Sequence, residues 1–117
     1  MKLIVSKTFR FEAAHSLPYY IGDCAKLHGH SYTLEVCVKN EVNEETGFVM
    51  DFKELKKIVQ EKVIVFLDHE FLNNLFKNPT AENTLIWIVR QLQNEINIVR
   101  ARLWETADSY VEWGNAR

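Results

Sequence analysis

HSYTLEVCVKNEV, residues 30–42, alternates apolar and polar side chains along its length. Tyr32, Leu34, Val36 and Val38 fall on one side, and Thr33, Glu35, Cys37 and Lys39 on the other. That is the two-residue period of a strand with one buried face. The same period runs through residues 3–15, where Phe9, Phe11, Ala13 and His15 oppose Thr8, Arg10 and Glu12. Between the two segments, LPYYIGD (17–23) carries Pro and Gly and reads as a loop. Two such strands joined by one loop pair antiparallel. The polar turn NEETGF (43–48) then leads the chain out of this hairpin.

Downstream the period changes. Asp51 with Glu54 three residues on is a capping-box-like pair that opens a helix. Phe52, Leu55, Ile58, Val59, Val63 and Phe66 follow at the three-and-four spacing of one buried face. That helix ends around LDHEFLNN (67–74). After Pro79, Thr80 is a good N-cap for a second helix, whose stripe is Leu85, Ile86, Val89, Leu92 and Ile96. Residues 98–105 alternate again, TADS (106–109) is a short turn, and YVEW (110–113) makes a last strand. The order strand, strand, helix, helix, strand, strand predicts an α+β fold with the helices on one face of the sheet.

The 117 residues suit one domain with a single core, spanning 1–117. Lys and Arg total 14 against 16 Asp and Glu, so no basic excess points to nucleic acid. Apolar runs are a few residues long, too short for a membrane span. MKLIVSKTFRFE breaks into charge after Val5, too early for the core of a signal peptide. With Cys24 and Cys37 the only cysteines, free thiols in a reducing cytoplasm are expected.

The chemistry-bearing residues cluster. In DCAKLHGHSY (23–32), one residue separates His28 from His30, so on an extended chain both imidazoles point the same way and can grip one metal ion. Gly29 between them lets the backbone bend. His15 closes the first strand on its apolar face, and a hairpin brings it back beside the pair. Three histidines without a fourth protein ligand form an open site of the catalytic kind. On pattern alone, a metal site and an ordinary polar turn both fit. Cys24 is either a further ligand or a separate thiol; Cys37, between two valines, fits packing. Asp68 and His69 offer a carboxylate and an imidazole, although adjacent residues seldom bond side chain to side chain. By itself the pair reads as a helix terminus.

Two further carboxylates matter. Glu82 lies in the first turn after the Thr80 cap, where the helix dipole favours an acid. Alternation puts Glu105 on the side of Val99, Ala101 and Leu103, with Arg100 and Arg102 opposite. A carboxylate on a buried face needs a cationic partner or a ligand with paired donors.

Taken together, FEAAH, C-x3-HGH, LDH, PTAEN and the ET near the end resemble, in order and over nearly the whole chain, the 6-pyruvoyltetrahydropterin and 6-carboxytetrahydropterin synthase family. The resemblance implies a tunnelling fold: a four-stranded antiparallel sheet (ββααββ) with two helices on one face, subunits closing into a β-barrel. A homohexamer built as a dimer of trimers would carry active sites at subunit interfaces. It implies one Zn2+ per subunit on His15, His28 and His30. Cys24 becomes the catalytic acid or base, assisted by Asp68 and His69 of a neighbouring subunit. Glu105 becomes the pterin anchor, with Thr80 and Glu82 as further contacts. The implied substrate is 7,8-dihydroneopterin triphosphate. The three-residue gap between Cys24 and His28 is similar to the queuosine-pathway 6-carboxy enzymes, which release acetaldehyde and triphosphate. The alternative is the 6-pyruvoyl reaction, and lesser ones are a non-catalytic zinc-binding or pterin-binding protein.

Overall fold

Fourteen rungs join the two strands of the hairpin in the computed structural model, which describes residues 1–114. Strand β1 (Lys2–His15) runs antiparallel to β2 (His28–Glu41), from Lys2 opposite Glu41 to His15 opposite His28. At about 3.3 Å per residue the ribbon is roughly 45 Å long, and it sets the long axis of a body measuring 54 × 26 × 24 Å. Strand β4 (Ile98–Thr106) pairs with the other side of β2, and β5 (Ser109–Gly114) turns back along β4.

The expected sheet was four-stranded and wholly antiparallel; the observed one is mixed and five-stranded, ordered β3-β1-β2-β4-β5. The extra strand β3 (Glu70–Phe71) lies parallel to the outer edge of β1, opposite Ala13 and Ala14. Its cause is local and tertiary. The Glu12 N–H donates to Asp68 Oδ1 (3.0 Å), and the His69 N–H donates to the Glu12 carbonyl (2.6 Å). These bonds satisfy edge groups of β1 and dock residues 68–71 there.

Helix α1 (Phe52–Val59) is capped by Asp51, whose Oδ1 accepts from the Lys53 N–H at 2.9 Å. It continues through a π-helical turn (Gln60–Ile64) into α2 (Val65–Leu67). Helix α3 (Ala81–Leu92) begins at Thr80, whose Oγ1 accepts from the Asn83 N–H at 3.1 Å. Leu55, Val59, Val63 and Leu67 are fully buried, at steps of four. A straight α-helix would rotate that row away from the sheet; the wider π turn holds it there. Phe52 and Phe66, expected in the stripe, are half exposed, with Ile64 and Leu67 buried in the second turn instead. In α3, Ile86 is exposed and Ile88 is buried. The core forms between these helices and the sheet face bearing Phe9, Phe11, Tyr32, Leu34, Val36, Val38, Ala101 and Leu103.

Candidate functional site

At one end of the hairpin the apolar face gives way to imidazoles. Register places His15 opposite His28, and the small Ala13 opposite His30. The three ring nitrogens lie within 4.8 Å of one another; His15 is fully buried, and His28 and His30 partly so. Beneath them lies a floor of Tyr32 stacked on Phe11, with ring centroids 4.8 Å apart. Gly29 contributes no bend. Its backbone is not in the left-handed region, and an added Cβ would meet only the Ala13 carbonyl at an ordinary 3.6 Å.

The hydrogen bonds of these rings decide what they can hold. His15 Nδ1–H donates to the Pro79 carbonyl (2.8 Å), and His28 Nδ1–H to the Lys26 carbonyl (2.7 Å). A carbonyl accepts only, so its partner nitrogen carries the proton and Nε2 keeps its lone pair. The two Nε2 atoms face each other at 2.9 Å, and the buried Nε2 of His30 has no hydrogen-bond partner. Lone pairs turned on one another call for a cation between them, and backbone-fixed imidazoles are how proteins present such nitrogens to a metal. Burial lowers the His30 pKa, with His15 and His28 adding to the effect against the opposing pull of Glu105. The neutral, ligating form is therefore favoured. Three nitrogens without a thiolate suit zinc in an open site.

Glu105 lies alongside. Trp104 pairs with Tyr110 and Thr106 with Ser109, leaving Glu105 as the extra residue of a bulge, a device that re-aims a side chain. Its carboxylate lies 3.7 Å from His30 Nε2 and 4.0 Å from His15 Nε2. The side chains facing it are thus imidazoles, and the Nε2 of His15 carries a lone pair rather than a proton, so they pair this carboxylate only through a shared cation and leave it open to a ligand's donors. Arg102 is engaged on the opposite face by Glu112 and Glu35. Glu105 also lines a cleft of about 250 Å³ with Leu17, Thr80, Ala81, Glu82 and Val111, between the start of α3 and the β4–β5 hairpin. The three residues expected to contact a pterin therefore share one cleft next to the imidazoles.

Cys24 stands apart from them. It is exposed on a short turn (Asp23–Ala25) and does not belong to the metal-competent group, which among the described residues contains only the three histidines. Asp68 and His69 approach each other closely: Nδ1 to Oδ2 is 3.1 Å. Adjacent side chains reach this geometry because His69 is left-handed, at φ 59°, a conformation uncommon outside Gly, Asn and Asp. The Glu12 N–H, with His69 as a smaller contributor, holds the Asp68 carboxyl below its usual pKa. His69 is exposed and lines a cleft of about 520 Å³ with Glu12, His30, Ser31 and Phe71. Sequence reasoning missed the carbonyls of Pro79 and Lys26 that orient the rings, because backbone acceptors leave no residue signature.

The chain is similar to known proteins along nearly its whole length. The family model described as 6-pyruvoyl tetrahydropterin synthase matches residues 4–116. A Pyrococcus furiosus protein named dihydroneopterin monophosphate aldolase is 39% identical over 116 residues, covering 96% of this chain and 97% of its own. A Synechocystis protein named 6-carboxy-5,6,7,8-tetrahydropterin synthase is 42% identical over 96 residues, covering 77% of this chain and 74% of its own. Among solved structures, the 6-pyruvoyl tetrahydropterin synthase of Caenorhabditis elegans superposes with a TM-score of 0.88 at 24% identity, covering 97% of this chain and 96% of that one.

Proposed function

This chain belongs to the 6-pyruvoyl tetrahydropterin synthase family, and from that premise we propose a zinc-dependent lyase acting on 7,8-dihydroneopterin triphosphate. With one water consumed, the products are 6-carboxy-5,6,7,8-tetrahydropterin, acetaldehyde and triphosphate, a step of queuosine synthesis in the cytoplasm. The working unit is the whole of residues 1–117 as one domain, repeated in a homohexamer whose sheets close into barrels. The observation that best supports the reading is the convergence of three imidazoles, two of them fixed by backbone carbonyls, beside a carboxylate that also lines the Thr80–Glu82 cleft.

In this reading His15, His28 and His30 hold the zinc, which when bound supplies Lewis acidity to the oxygens of the substrate side chain. Glu105 accepts the paired ring N–H and amino donors of the pterin, as one carboxylate can, and Thr80 and Glu82 complete the cleft. Cys24 takes and returns protons along the side chain. Asp68 orients His69, and the pair from a neighbouring subunit draws the thiol proton.

A second reading is carbon–carbon cleavage of a dihydroneopterin phosphate without formation of a 6-carboxy product. The near end-to-end match to the Pyrococcus furiosus aldolase favours it. Incubating zinc-loaded protein with dihydroneopterin triphosphate, and in parallel with the monophosphate, and identifying products by mass separates the two. A 6-carboxy product with acetaldehyde supports the first reading. A 6-hydroxymethyl pterin supports the second, a 6-pyruvoyl product refutes both, and an unconsumed substrate refutes any lyase.

A further inference from the structure

Residues 16–27 join His15 to His28 and carry Cys24, yet the core does not hold them. Tyr19, Tyr20, Ile21 and Leu27 are all exposed, and none of the twelve positions is buried. Hydrogen bonds do the holding. The Leu17 N–H donates to the Cys24 carbonyl (3.2 Å), so the position of Cys24 depends on the residues directly after His15. Among the described residues, two side chains bond the backbone of this loop. One is His28, on Lys26; the other is Asn73, on Ser16.

The Asn73 contact is twofold. Its Oδ1 accepts from the Ser16 N–H and its Nδ2 donates to the Ser16 carbonyl, both at 2.9 Å. A primary amide bonding both groups of one residue has the pattern of a neighbouring peptide in a sheet. Asn73 sits two residues beyond β3, whose last rung pairs Phe71 with Ala14. Its side chain therefore continues the β1–β3 ladder past the ends of both strands, onto the first residue of the Cys24 loop. Both partners are only partly exposed, which strengthens such bonds over their value in open water.

We infer that Asn73 is a positioning residue for Cys24: its carboxamide fixes the stem of the loop, and through the Leu17–Cys24 bond it fixes the thiol. The inference rests on the role given to Cys24 above. His15 does not need this clamp, because it is held by its rung to His28 and by Pro79. The thiol and the metal site are accordingly expected to respond differently to its loss.

The test is Asn73→Ala in the full zinc-loaded chain, with three readouts. Amide exchange in residues 17–25 should speed up about tenfold or more, with β2 and α3 unchanged. Zinc should remain stoichiometric. With the substrate consumed by the wild type, kcat should fall about 10- to 100-fold at nearly constant KM, the scale set by displacing a reacting group by about 1 Å. Unchanged exchange in 17–25, or acceleration spread evenly over the chain, overturns the clamp; loss of zinc, or an unchanged kcat, overturns the positioning role. If Asn73→Ala does not fold, Asn73→Asp keeps the acceptor for the Ser16 N–H but sets a carboxylate against its carbonyl. The same loop-limited exchange is then expected. Because exchange needs no turnover, it tests the clamp even if the proposed reaction fails.

Discussion

If Glu105 anchors the pterin as proposed above, Glu105→Gln should separate that anchoring from binding of the metal. The carboxylate offers two charged acceptors, and a pterin offers two adjacent donors. Hydrogen bonds to a charged group contribute about 1.5–3 kcal/mol each, so the pair contributes about 3–6 kcal/mol. The amide keeps one neutral acceptor and turns an N–H₂ group toward the second donor. A loss near the lower end, about 3–4 kcal/mol, corresponds to a roughly 10²- to 10³-fold weaker Kd. The effect on zinc is of another kind. Glu105 lies 3.7–4.0 Å from two imidazole nitrogens without being part of the metal-competent group, so its charge supports a cation only through space. With the side chain about a third exposed, solvent screens much of that attraction, and zinc affinity should fall by no more than about tenfold. The assay is calorimetric titration of zinc-loaded protein with a pterin that is not turned over, such as biopterin, alongside a competitive zinc titration. A pterin Kd within threefold of wild type would refute the anchor. A zinc loss larger than the pterin loss would make Glu105 a ligand instead.

Cys24→Ala should lower turnover at least about 10²-fold, the low end of a proton-transfer contribution, with zinc content and pterin affinity retained; loss of zinc in this variant would make the thiol a ligand. His28→Ala should lose the metal and the activity together. Zinc at a thousandfold excess over its Kd stabilises a fold by about 4 kcal/mol, so a chelator should lower the melting temperature of wild type but not of His28→Ala. Asp68 has its folded pKa depressed chiefly by the Glu12 N–H. Its stabilising contribution is therefore present above the unfolded carboxylate value, near 4, and fades as pH falls through the lower folded one. Asp68→Asn should flatten the acid limb of a stability-against-pH curve below about pH 4, and an unchanged limb would contradict the role given to that bond.

The parts of the fold carried by side-chain period could be read from the chain itself. Alternation puts Phe9, Phe11 and His15 on one face and His28, His30 and Tyr32 on its partner, so a hairpin gathers the imidazoles without any further information. Elements made by backbone groups meeting across long separations could not be read. The π turn at Gln60–Ile64 has no residue signature, and it alone exchanges Phe66 for Ile64 and Leu67 in the buried row. Strand β3 exists because residue 69 turns left-handed and residue 68 caps an N–H 56 positions earlier. Glu105 was placed on the correct face by alternation, but the bulge that aims it at His15 and His30 depends on the register between β4 and β5.

One imidazole also ties the sheet to the start of α3. His15 is buried beneath the turn that starts α3, bonded to the residue just before the Thr80 cap. Moving α3 would therefore break the Pro79 bond, release the His15 tautomer and open the Thr80–Glu82 cleft in one event. A neutral imidazole with a fixed Nε2 lone pair is a better ligand than a rotating one, so any cation bound at these nitrogens favours the docked position of α3. By linkage, the docked helix favours the cation equally. Metal affinity and the shape of the cleft beside Glu105 are then two readings of one equilibrium. On this argument, Asn78→Gly, which loosens the turn whose Asn78 carbonyl accepts from the Thr80 N–H, should weaken zinc and pterin binding together, although residue 78 is not among the proposed contacts of either ligand.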